Sequence, residues 1–102
     1  MLSRLFGQAP KMDILELVGK GAVIVDVRTP GEFAGGHVKG SVNIPLDQLT
    51  QNLHKLRKDQ PVITCCKSGM RSGSAVEILK DHGYEAHNGG PWTNVDRQLP
   101  KR

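Results

Sequence analysis

The chain has 102 residues, 37% of them hydrophobic, enough to bury one modest core but not two. Its formal net charge is +4, but the cations are scattered and only 4% of the residues are aromatic, which leaves little for stacking bases. No apolar run approaches the roughly 20 residues of a membrane span, and residues 1–10 lack the roughly 7–15 apolar residues of a secretory signal, so a cytoplasmic location is expected.

In chain order, Lys11 to Val18 reads as a short helix. Asp13 and Glu16 stand at capping-box spacing, and Gly19 and Gly21 end it. Ala22 to Val27 is a nearly unbroken run rich in β-branched residues, which fits a strand covered on both faces. Thr29 to Phe33 is a turn into a second short helix, with Pro30 near its first position. Gly35, Gly36 and Gly40 bracket a loop, and Ser41 to Ile44 is a short strand stopped by Pro45. Leu46, Leu49, Leu53 and Leu56 recur at helical spacing, predicting an amphipathic helix over 46–56. Pro61 to Cys65 is a second buried strand, and Ser72 to His82 a helix closed by Gly83. Tyr84 to His87 is the last strand, and the chain after Trp92 is expected to be loose.

Alternating strands and helices imply a single α/β domain: a small parallel sheet with helices on both faces. It would span residues 11–92, between a flexible segment at 1–10 and a basic tail at 93–102 carrying Arg97, Lys101 and Arg102. In such sheets the working site lies at the carboxyl ends of the strands. Cys66 falls there, immediately after the strand that ends at Cys65.

The two cysteines are adjacent, so no disulfide scaffold can form, and no His or Cys pair has zinc-ligand spacing. No metal or cofactor is therefore expected, and reactivity becomes the question. Cys66-Lys67-Ser68-Gly69-Met70-Arg71 runs from a strand end into a helix start at Ser72. Backbone N–H groups of the turn, the helix dipole, and the charges of Lys67 and Arg71 all favour a thiolate at Cys66. Such a thiolate is a nucleophile without a partner base, and none of His37, His54, His82 or His87 has a claim to that role. Cys65, on the opposite side of the strand, reads as a small buried hydrophobe.

Four segments in order resemble the rhodanese family of sulfurtransferases in its single-domain form. Val25-Asp26-Val27-Arg28 with Glu32-Phe33 is similar to that family's Asp-x-Arg and Glu-Phe signature. Gly36 to Pro45 resembles its Gly-His-Ile-x-Gly-Ala and Asn-Ile-Pro segment. Cys66 to Ser72 matches its Cys-x-x-Gly-x-Arg-Ser loop, and Gly89-Gly90 with Trp92 its closing glycine pair and tryptophan.

The resemblance implies a two-step sulfur transfer through a persulfide on Cys66. A small anionic donor such as thiosulfate would bind on Lys67, Ser68, Gly69, Met70 and Arg71, and cyanide, a thiol or a protein would accept the sulfur. Ser72, Asp26, Arg28 and Glu32 would support the loop. A monomer that binds neither nucleic acid nor membrane is expected. The alternatives are a sulfur relay or binding module serving a protein partner, and a cell-cycle-type phosphatase of the same fold. That phosphatase class carries one residue more between its cysteine and arginine than the span from Cys66 to Arg71.

Overall fold

The computed structural model describes residues 13–100 of the chain. Four parallel strands form one sheet in the order β2-β1-β3-β4. Helix α1 (Ile14–Gly19) opens with Asp13, whose carboxylate accepts the Glu16 N–H at 3.0 Å. Strand β1 (Val23–Asp26) follows, then α2 (Pro30–Ala34) and β2 (Val42–Asn43). Helix α2 carries a full capping box: the Thr29 hydroxyl accepts the Glu32 N–H while Glu32 accepts the Thr29 N–H. The next expected helix appears as two 3₁₀ segments, Leu46–Gln48 and Thr50–Lys55. The chain continues through β3 (Val62–Cys66), α3 (Met70–Asp81), β4 (Ala86–Pro91) and α4 (Trp92–Gln98).

Strand residues alternate between the two faces of the sheet, and each face has its own core. On one side Val25, Val27, Val62, Cys66, Ala75 and Leu79 pack together, bringing α3 and the 3₁₀ segments onto the sheet. On the other side Ile14, Ile24, Val38, Ile63, Cys65 and Val95 pack, bringing α1 and α4. Helices thus cover both faces of a parallel sheet. Among the described residues no helix is long and apolar enough to cross a membrane.

Several elements depart from the sequence expectation. Residues 46–56 do not form one α-helix, because Asn52 leaves helical geometry (φ −119°, ψ 16°) and its side chain donates to the Gln48 carbonyl at 2.7 Å. A side chain bonded to nearby backbone competes with the helical ladder. The leucine face is nonetheless correct, with Leu49 and Leu56 buried. Helix α3 starts two residues early, at Met70, since Gly69 (φ +104°) makes the turn that caps it. Strand β4 starts at Ala86 instead of Tyr84, whose ring is buried with its hydroxyl donating to the Leu53 carbonyl. The chain after Trp92 is not loose. It forms α4, because Val95 has a fully buried place against the sheet and Leu99 packs beside it. The expectations for residues 1–10, Lys11, Lys101 and Arg102 lie outside the described residues.

Strand β4 slips in register beside the end of β3. Thr64 pairs with Asn88 and Cys66 with Pro91, so β4 spends one more residue than β3 over the same stretch. Such a bulge needs backbone freedom. Gly90 has φ +79°, and a Cβ on Gly89 would lie 2.7 Å from the Thr64 carbonyl oxygen.

Candidate active site

Cys66 is the last residue of β3, not the first residue after it, and its side chain faces α3 with no exposed surface. Three groups close around the sulfur. The Gly69 N–H donates to Sγ at 2.9 Å and the Ser72 N–H at 3.4 Å, while the thiol donates to the Ser72 hydroxyl oxygen, also at 3.4 Å. Gly69, at the N-terminal cap of α3, has no side chain with which to cap the first turn. The sulfur supplies the missing acceptor for one of its orphan N–H groups.

Burial is the largest influence on the Cys66 thiol and pushes its pKa up. The Ser72 hydroxyl and the N–H groups of Ser72, Gly69 and Ser68 together outweigh it, so the pKa is lowered. Of the three influences expected from the sequence, the backbone N–H groups lead, joined by the Ser72 hydroxyl, and the cations are not among the main ones. Arg71 is forked on Glu32, with N–O distances of 2.8 and 3.0 Å, and attracts Cys66 only as a secondary influence on its own charge state. The Arg71 hydrogen bond is the main reason that the Glu32 carboxyl is lowered to about 2, the Thr29 N–H adding to it.

The Asp26–Arg28 pair is separate from Glu32–Arg71. Arg28 Nε and Nη2 grip both carboxylate oxygens of the fully buried Asp26 at 2.7–3.0 Å, and Nη2 also donates to the Gly36 carbonyl at 2.7 Å. Trp92 covers the guanidinium, 5.0 Å from its carbon to the ring centroid, and lies against Gly36, where a Cβ would meet the ring at 3.3 Å. Asn43 ties in the strand end through the carbonyls of Asp26 and Arg28. The buried pair therefore joins β1, the 35–40 loop and α4 into one frame behind the site.

Of the residues expected around the thiol, the structure gathers Ser68, Gly69 and Ser72 by their backbone or hydroxyl groups. The Met70 side chain is 80% exposed, and its N–H faces the Ser68 hydroxyl at 3.5 Å. Lys67 makes no ion pair among the described residues and lines a cavity of about 270 Å³ together with Arg28, Glu32, Gly31, Gly36 and Trp92. His37 stacks on Phe33 and bonds its carbonyl, and His82 bonds the Ile78 carbonyl, so each has a structural partner. Among the described residues, no group of three His, Cys, Asp or Glu could hold a metal ion.

Cys65 faces the opposite core. Burial first, then the negative charge of Asp26, push its thiol from 9.0 up to about 12. Sequence reasoning missed Asn88, whose amide touches Ser72, Gly69 and Gly90. The only available sign was a polar residue just before a glycine pair.

A family model for the rhodanese-like domain matches residues 12–90. The uncharacterized protein YqhL of Bacillus subtilis is 47% identical over 62 residues, 61% of this chain; the chain spans 49% of that relative's length. The thiosulfate sulfurtransferase GlpE of Stutzerimonas stutzeri is 34% identical over 78% of this chain and 72% of its own. A solved structure of a rhodanese with anions from Escherichia coli superposes with a TM-score of 0.67 at 33% identity, over 72% of this chain and 89% of that one.

Proposed function

The chain belongs to the rhodanese-like family, whose members include sulfurtransferases, and from that premise we propose that it carries sulfane sulfur on Cys66. The observation that carries this reading is the convergence of N–H donors on one buried sulfur at the mouth of α3. Such donors stabilise a thiolate before the reaction and a terminal persulfide anion after it.

In the first step the Cys66 thiolate attacks the outer sulfur of thiosulfate. A Cys66 S–S bond forms as the donor's S–S bond breaks, and sulfite departs with the bonding electrons. In the second step a thiolate or cyanide attacks the outer sulfur, and Cys66 leaves again as thiolate. Cys66 has no exposed surface, so the incoming sulfur takes space that the loop now closes over. The N–H groups then pass from Sγ to the outer sulfur.

The anionic end of the donor has a place to rest in the neighbouring cavity. Among the described residues Lys67 has no ion-pair partner, and both it and Arg28 line that cavity, so positive charge borders it. Arg71, by contrast, is committed to Glu32. Its part is to tie the loop to α2.

Intact mass after incubation with thiosulfate tests this reading. The wild type and Cys65→Ser should each gain one sulfur atom, and Cys66→Ser none. No gain in the wild type removes thiosulfate as donor, and a gain in Cys66→Ser removes Cys66 as carrier.

A further inference from the structure

Asn88 stands where β4 bulges, and the bulge turns its amide over the end of β3. Its Oδ1 accepts the Ser72 hydroxyl at 2.7 Å and the Gly90 N–H at 2.9 Å, and its Nδ2 donates to the Gly69 carbonyl at 3.1 Å. The amide orientation follows from these partners, since an NH₂ must face a carbonyl and an oxygen must face an N–H. One side chain thus holds two residues that touch the sulfur: Ser72, with Oγ 3.4 Å from Sγ, and Gly69, with its N–H at 2.9 Å. Gly73 leaves room for it, as a Cβ there would lie 3.3 Å from Nδ2.

We propose that Asn88 is a positioning residue for the reacting thiol, fixing the Gly69 turn and steering the Ser72 hydroxyl between its own amide and the sulfur. While Cys66 is a thiol, its S–H donates to Ser72 Oγ, and the Ser72 proton lies on Asn88 Oδ1. When the thiol proton leaves to solvent, the hydroxyl can swing from the amide to the thiolate. A neutral amide releases that hydroxyl, and its NH₂ keeps the Gly69 turn closed.

An aspartate of the same shape would do neither. It would hold the Ser72 hydroxyl by a charge-assisted bond, repel the Gly69 carbonyl, and place a negative charge near the developing thiolate. All three effects make the thiol harder to ionise. The charged groups already around it are Arg71 on α3, paired with Glu32 of α2, the Asp26–Arg28 pair of β1 beside Cys65, and Lys67 on the loop. On β4 there is also the imidazole of His87, whose Nε2 lies 2.8 Å from the Glu85 carboxylate. Position 88 carries no charge, so a carboxylate there is a new one.

The test is the pH profile of Cys66 alkylation by iodoacetamide, with the modified cysteine located by fragment mass. It rests on Cys66 as the reacting thiol but not on any sulfur donor, so a silent thiosulfate assay would leave it standing. Asn88→Asp should raise the midpoint by about one pH unit, roughly a tenfold loss of thiolate at neutral pH. In a Ser72→Ala background the shift should fall to about half or less, because the steered hydroxyl is gone. A midpoint within about 0.2 pH unit of wild type overturns the proposal, and so does an equal shift in both backgrounds. Should Asn88→Asp fail to fold, Gly73→Ala crowds the amide while leaving its chemistry intact. It should raise the midpoint in the same direction by a smaller amount, and an unmoved midpoint there also overturns the proposal.

Discussion

Cys65 and Cys66 are chain neighbours, both free and both without exposed surface, yet their thiols are driven in opposite directions. Cys65 lies among Ile14, Ile24, Val38, Ile63 and Val95, on the face where the nearest polar neighbours are Asp26 and Arg28. Cys66 lies on the other face, where the first turn of α3 and its preceding loop offer N–H groups and a hydroxyl. Burial penalises both thiolates. What separates them is whether the covering element brings hydrogen-bond donors, and one step along a strand decides which element that is.

The largest consequence is in reactivity. With its pKa near 12, Cys65 is thiolate to about one part in 10⁵ at pH 7. Cys66, lowered from 9.0, is thiolate to more than about one part in 100. Alkylation at pH 7 should therefore favour Cys66 by about a thousandfold or more, read by fragment mass on the intact protein. Comparable labelling of the two would erase the distinction. Next comes a change confined to the Cys65 face. Val95 of α4 is fully buried there, and Val95→Ala should cost about 2 kcal/mol in urea unfolding while leaving the Cys66 alkylation midpoint in place. A neutral effect on stability would mean that α4 is dispensable to the fold, and a moved midpoint that the faces are not independent.

Much of this difference could be read from residues alone. Alternation along β3 put Cys65 and Cys66 on opposite sides, and the run from Cys66 to Ser72 placed the thiol at a helix start. The sheet was legible because Ala22 to Val27 and Pro61 to Cys65 are nearly unbroken runs rich in β-branched residues, a pattern that fits strands covered on both faces. The leucine period over 46–56 showed which side packs but not that Asn52 would break the helix, since that depends on one side chain choosing the Gln48 carbonyl. The N–H groups that lower the thiol pKa were expected from the turn, but the cations were given a share they do not have, for a related reason. Lys67 and Arg71 are visible as charges in sequence, but the fork that commits Arg71 to Glu32 joins residues 39 apart. Asn88 was invisible because its role depends on a register slip that no local pattern announces.

The two cations beside Cys66 should separate in kinetics. Arg71→Ala frees the loop from α2 and should lower kcat by about tenfold, since a misplaced loop weakens stabilisation of the reacting sulfur. Lys67→Ala removes a positive charge from the cavity lining and should instead raise KM for thiosulfate about threefold, with kcat little changed. Steady-state kinetics with cyanide as acceptor reads both. If Lys67→Ala lowers kcat and Arg71→Ala raises KM, the assignments are reversed.

The smallest expected effect is on stability in alkali, where the two thiols act in different pH windows. Cys65 has a folded pKa above its unfolded value, so between about 9 and 12 the unfolded chain has lost a proton that the folded chain keeps. Unfolding then releases a proton, and stability falls as pH rises. For one such group, the step from pH 9 to pH 10 should cost about 1 kcal/mol. Cys66 is shifted the other way: its contribution is present above the unfolded pKa and is lost as pH falls through the lower folded value. It therefore adds little to the change between pH 9 and 10. Urea unfolding under reducing conditions at those two pH values should show the wild type losing about 1 kcal/mol more than Cys65→Ala, a difference that cancels the other alkaline titrations common to both. Equal losses would mean that Cys65 ionises as readily in the folded protein as in the unfolded chain, and that its face of the sheet does not exclude charge.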